Sequence, residues 1–258
     1  MSDIGNYQRV VNSKGRFDTT VDEGLRLYMI KVYNLMALGL IITGVMAFLI
    51  SSFATTLDPA ESVARFHGLM LTRFGVMMCQ SPLSWIIMFA PLGAVLFIQL
   101  RLNSLSSSAL MTSFLVYSAL VGLSLSYIFL IYTSKSIVQT FFITSASFGC
   151  LSLYGYTTKR DLGPIGSFLI MGLFGICLIG LVNIFMRSSS VELALSVLGL
   201  FIFSGLTAYD TQRIKEGYSE HCGASYLERQ SVMGALVLYM DFINIFLYLL
   251  KFTGGKRD

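Results

Sequence analysis

The sequence predicts an all-α membrane protein with seven transmembrane helices. Three observations carry that reading. Apolar residues make up 55% of the 258 positions and charged residues only 12%, with a mean hydropathy of +0.72. A soluble domain of this length has far less apolar surface to bury. Apolar runs of roughly 20 residues recur along the chain, the length a helix needs to cross a bilayer. Those runs are continuously apolar and do not alternate with period two, which disfavours a transmembrane barrel.

The seven spans are expected near residues 30–52, 83–100, 109–132, 137–157, 165–186, 192–213 and 229–251. Residues 1–24 form a polar N-terminal tail carrying Arg9, Lys14, Arg16, Asp18, Asp22 and Glu23. This tail lacks the short apolar core and cleavage site of a secretory signal, so the first span is expected to be an uncleaved anchor. Pro82 opens the second span, where a missing amide is harmless, and Pro91 inside it is a candidate kink. Between the first and second spans lies the longest loop, 53–81. Its stretch Val63-Ala-Arg-Phe-His-Gly-Leu-Met-Leu71 is expected to be loop in preference to a short interfacial helix. Pro164 introduces the fifth span. Small residues (Gly172, Gly175 and Gly180 in the fifth span; Gly199, Ser204, Gly205 and Ala208 in the sixth) let helices approach closely. No long internal repeat supports an inverted-repeat transporter. The domain runs over 25–252, and 253–258 is a short C-terminal tail.

Seven spans put the termini on opposite sides. With the N-terminus inside, the inner segments hold Arg101, Lys159, Arg160, Arg213, Lys215 and Arg229 beside the basic residues of the tail. That bias predicts a cytoplasmic N-terminus. The net charge of +4 is spread over tails and loops and makes no nucleic-acid footprint. Four cysteines give neither a disulfide framework nor a metal spacing: Cys150 and Cys177 fall in apolar runs, Cys79 and Cys222 in loops on opposite faces.

Two acids stand out. Asp210 lies in Gly205-Leu-Thr-Ala-Tyr-Asp-Thr-Gln212, and Asp241 in Ala235-Leu-Val-Leu-Tyr-Met-Asp-Phe-Ile-Asn-Ile-Phe246. A carboxylate at membrane depth is unfavourable by a few kcal/mol or more unless it is paired, protonated or wetted. The last two spans are joined by a short polar loop and should be neighbours. Two carboxylates close together in a low-dielectric interior share a proton and titrate as one unit. Such a pair changes charge with pH and biases two helix packings; its oxygens also suit Ca²⁺, a hard cation. The competing reading for Asp210 is interfacial, reaching headgroups or Arg213. For Asp241 it is a buried acid satisfied by a hydroxyl or carbonyl. Arg101 closes the second span and is either an inner-face anchor or a guanidinium that reaches an aspartate and latches helix two. Asn183 and Asn244 suit hydrogen bonds between helices.

Catalysis is not expected. A seven-helix zinc hydrolase or a Ser–His pair needs intramembrane histidine, but the chain's two histidines, His67 and His221, both fall in loops. A retinal protein needs a lysine deep in the last span, and Lys251 is at its end. No cofactor is expected.

Three ordered blocks resemble the Bax inhibitor-1 family in its bacterial form. They are Phe148-Gly-Cys-Leu-Ser-Leu-Tyr-Gly-Tyr-Thr-Thr-Lys-Arg-Asp-Leu162, the Asp210 block and Leu236-Val-Leu-Tyr-Met-Asp-Phe-Ile-Asn-Ile-Phe246, with Leu115–Ser124 agreeing. The resemblance covers roughly 25–252. It implies six helices wrapped around a central C-terminal helix, and a hydrogen-bonded aspartate pair that couples pH to opening and to a passive Ca²⁺ leak. Asp210 and Asp241 take the places of the pair, and Arg101 that of the latch arginine, although Gln99-Leu-Arg-Leu-Asn-Ser104 lacks the basic cluster of some members. The expectation is therefore a pH-sensitive cation leak in a bacterial inner membrane, Ca²⁺ being the ion. The alternative is a modulator of a membrane protease or stress response that binds through tail residues 1–24 without conducting.

Overall fold

In the computed structural model, residues 3–60, 62–102, 104–219 and 223–257 are described, with side chains from Glu23 onward except that of Gln80. Cys222, His221 and the charged side chains before Glu23 lie outside the described residues. Among the described residues there are eight helices: α1 (Asp3–Ala54), α2 (Arg73–Gln80), α3 (Leu83–Arg101), α4 (Ser107–Ile131), α5 (Ser134–Thr157), α6 (Gly163–Met186), α7 (Ser189–Glu216) and α8 (Ala224–Thr253). Seven are long and apolar enough to cross a membrane: Glu23–Ala54 of α1, and α3 to α8. Each expected span has its helix, and α3 continues through Pro91. The helices run past the apolar runs because polar residues close them. Thr72, Ser106, Thr133 and Ser188 sit in extended backbone just before α2, α4, α5 and α7, and each hydroxyl accepts an otherwise orphaned amide.

The 63–71 segment is neither bare loop nor helix. It folds with β1 (Thr55–Thr56) into a small antiparallel sheet in which β3 (Leu69–Leu71) lies between β1 and β2 (Ala64–Phe66). His67 and Gly68 make the turn with φ of 44° and 73°. Positive φ at both central residues matches the twist of a two-residue hairpin, and glycine takes the second position without strain. Leu71 is fully buried and anchors the sheet beneath α1 and α2.

The core gathers on α8. Leu238, Tyr239 and Ile245 are fully buried, and α8 packs on α1, α4, α5 and α7. Among the described residues, α3 rests mainly on α4 and α6 on α7, so four of the six other spans form the wall against α8. The outlying α3 and α6 present Leu92, Leu96, Phe168 and Phe174 outward, as a bilayer permits. Tyr239 ties the centre together. Its ring meets Phe114 and Tyr117 edge-on at 5.7 and 5.8 Å, and its hydroxyl lies 2.6 Å from that of Thr43 on α1. A buried phenol needs such a partner. Elsewhere Lys256 bridges Tyr132, and the Arg257 amide donates to Ile131, pinning the C-terminal tail to the α4–α5 corner.

Candidate functional site

The site is built where α7 and α8 run antiparallel. Gly234 lies against Ile214 near one end, and Gly199 lies against Tyr248 near the other. The register between these anchors sets Asp241 opposite Thr207 and Asp210 opposite Leu238. The two carboxylates are thus offset by three residues, about 4.5 Å along the axis at 1.5 Å per residue. Asp210 is the charge that acts on Asp241, and Arg213, one turn further along α7, acts on Asp210. The two acids lie on facing stretches of α7 and α8, but among the described residues no hydrogen bond joins them, unlike the bonded pair that the family resemblance implies.

Their settings differ. Asp241 is 4% exposed and sits about 18 Å from the nearer end of α8, twelve residues away. Its Oδ2 meets no hydrogen-bond partner among the described residues. Asp210 is only half-buried, near the end of α7. Arg101 is exposed at the end of α3, and among the described residues it enters no ion pair. No group of three or more His, Cys, Asp or Glu residues could hold a metal among the described residues. Two carboxylates fall short of the six to eight oxygens a resident Ca²⁺ takes.

A chain of hydroxyls links α1, α5 and α7. The Tyr33 hydroxyl lies 2.6 Å from that of Ser152, which lies 2.9 Å from that of Thr211. Thr211 donates at 2.7 Å to the Thr207 carbonyl. The chain crosses α1, α5 and α7 and ends on a carbonyl, which cannot take up a proton, so it clamps the three helices. Gly155 permits the clamp. A Cβ there would fall 2.2 Å from the Ala208 carbonyl oxygen, so only glycine lets α5 and α7 touch at the backbone. Two residues beyond Asp210, Gln212 accepts from the Leu162 amide and donates to the Arg160 carbonyl, both at 2.8 Å. Lys215 donates at 2.8 Å to the Tyr156 carbonyl. The end of α5 and its following loop are therefore received by the residues just after Asp210.

Sequence reasoning missed Arg229. Its guanidinium donates from Nη2 to the Leu102 carbonyl at the end of α3. Ser107 donates to the Ser225 carbonyl at 3.3 Å, and Lys31 pairs with Glu228 at 3.6 Å. The start of α8 is thus tied to the α3–α4 corner and to α1. A cation beside a span reads as an ordinary anchor, and no local signal marked this one. Asn183 caps the Ser188 amide at 3.1 Å, and Asn244 bonds back to Met240 at 2.8 Å within its own helix. Neither bridges two spans through these bonds.

Known proteins resemble this chain along most of its length. The family described as inhibitor of apoptosis-promoting Bax1 matches residues 25–258. An uncharacterized protein, RP147, of Rickettsia prowazekii is 46% identical over 98% of this chain and 99% of its own length. An uncharacterized protein of Caulobacter vibrioides is 40% identical over 94% of each. The Escherichia coli inner membrane protein YbhL is 39% identical over 91% of this chain and 94% of its own. With these matches spanning nearly the whole of both partners, the chain belongs to the Bax inhibitor-1 family.

Proposed function

We propose that the protein is a pH-sensitive passive leak for cations, Ca²⁺ foremost, in a bacterial inner membrane, with its N-terminus in the cytoplasm. The observation that carries this reading is Asp241, buried mid-span with an unpartnered oxygen and the Asp210 charge beside it. The inner-membrane description of the Escherichia coli relative and the basic residues on the α7–α8 side support the location and orientation. The mechanism is electrostatic. The acids hold fewer than two negative charges between them when shut, and a change in that number alters how α7 and α8 pack. Arg101 is free to approach Asp210 in another state and latch α3, while Arg229 holds the α3 end in this one. Neither catalysis nor a resident cofactor belongs to this reading.

The test is Ca²⁺ entry into dye-loaded vesicles holding the purified protein, over a pH series. Wild type should pass Ca²⁺ with a pH dependence that Asp241→Asn abolishes. Unchanged flux and pH profile in Asp241→Asn would defeat the site assignment. The rival role, modulation of a membrane protease, draws on the polar tail 1–24 as a handle. Deleting that tail should leave a leak intact but abolish modulation.

A further inference from the structure

A cavity of about 560 Å³ opens where α6 ends, α7 begins and α8 ends. It lies at the opposite end of α7 and α8 from the turn that joins them, and neither Asp210 nor Asp241 lines it. Its mouth is charged and its interior apolar. Arg187, Glu192 and Lys251 stand at the mouth, all exposed. Ile176 and Leu195 line the interior with Gly180, where an added Cβ would meet nothing within 4 Å. Ile176 comes eleven residues before Arg187 and so lies about 16 Å deeper, at 1.5 Å per residue. A soluble anion has no use for that apolar depth. A lipid headgroup with its acyl chain does.

The charges at the mouth do not cancel. Lys251 pairs with Glu192 at 3.6 Å. Among the described residues the Arg187 guanidinium enters neither an ion pair nor a hydrogen bond. One positive charge is left over, the complement of one phosphodiester. The position of Arg187 is fixed. Its backbone is left-handed, with φ of 50° and ψ of 35°, at the place just past a helix where glycine is the usual residue. The Asn183 carbonyl accepts the Arg187 amide at 2.8 Å, and the Asn183 side chain accepts the Ser188 amide at 3.1 Å. The last turn of α6 thus sets the arginine over the cavity.

We propose that this cavity seats an anionic phospholipid, its phosphodiester on Arg187 and one acyl chain running past Gly180 toward Ile176. A guanidinium is the fitting donor, because its planar fork matches two phosphate oxygens. A zwitterionic headgroup fits less well. Its ammonium would find only Glu192, which Lys251 already holds.

The experiment titrates phospholipid into the purified protein in neutral detergent. Native mass spectrometry then gives the Kd of the first lipid bound. Wild type is compared with Arg187→Gly and Arg65→Gln. Glycine suits the left-handed backbone, so Arg187→Gly removes the cation without straining the turn. Arg65, exposed on β2 at the same membrane face, is the control cation. Phosphatidylglycerol should bind wild type about tenfold more tightly than phosphatidylethanolamine, the scale of one hydrogen bond between charged groups. Arg187→Gly should erase that preference and Arg65→Gln should keep it. Equal Kd values for the two lipids in wild type, a preference retained in Arg187→Gly, or one lost equally in Arg65→Gln overturns the proposal. Displacement of phosphatidylglycerol by millimolar inorganic phosphate overturns the lipid in favour of a free anion.

Discussion

Replacing Gly155 by alanine should destabilise the protein by about 1–3 kcal/mol. The added Cβ would sit 2.2 Å from the Ala208 carbonyl oxygen and 2.9 Å from its carbon and Cα. Those are backbone atoms, so no side chain can swing aside and the two helices must part. Overpacking of this kind costs about 1–3 kcal/mol. Parting α5 from α7 also stretches the Ser152–Thr211 and Lys215–Tyr156 hydrogen bonds, at 2.9 and 2.8 Å. Interhelical bonds in membranes contribute roughly 0.6 kcal/mol each. Alanine's better helix propensity returns about 0.8–1 kcal/mol. Gly149, two turns earlier on α5, is the control, because a Cβ there meets nothing within 4 Å. Gly149→Ala gains propensity without a clash and should be neutral or stabilising by up to about 1 kcal/mol. The assay is unfolding in mixed micelles with increasing denaturing detergent, read by loss of helix. Equal or higher stability of Gly155→Ala relative to wild type would refute the close α5–α7 contact.

Three further outcomes are expected. Arg229→Gln removes the charged donor to the Leu102 carbonyl, and spin labels on the ends of α3 and α8 should report a longer and broader separation; an unchanged distribution contradicts the clasp. Tyr239→Phe should cost roughly 0.6–1.7 kcal/mol of stability through its lost bond to Thr43, the range for single interhelical bonds, with a change under about 0.3 kcal/mol counting against it. Burial pushes the Cys79 thiol up, so less of it is thiolate at neutral pH; it lines a cavity of about 380 Å³ with Ser84, Trp85 and Tyr127. Maleimide should label Cys79 more slowly than a free thiol at pH 7, with rates converging as pH rises; equal rates at pH 7 contradict that environment.

The spans were legible because one physical demand, an apolar run of bilayer length, writes itself into a linear sequence. Asp210 and Asp241 were legible for the opposite reason, as charges that such runs exclude. What joins them was not. Their proximity depends on the α7–α8 register, which the contacts at Gly199 and Gly234 set. The hairpin over 64–71 hid because its strands are three residues each, too short for a pattern to outweigh loop-like composition. In hindsight the alternation of exposed Arg65 with half-buried Ala64 and Phe66, ahead of His67-Gly68, was its signal. Tyr33, Ser152 and Thr211 gave no sign of their clamp, since lone hydroxyls are common in transmembrane helices and only the crossing of α1, α5 and α7 aligns them. Arg101 and Arg229 look alike in sequence. The structure gives the bond to α3 to Arg229, on the distant α8, and leaves Arg101 outward.

A double-mutant cycle on Ca²⁺ flux asks whether the two acids act as one unit. Asp210→Asn, Asp241→Asn and the double variant would be reconstituted at equal density and their pH profiles compared. One shared site predicts that either single change abolishes the pH dependence and that the second adds almost nothing. Independent effects that multiply in the double variant would contradict it.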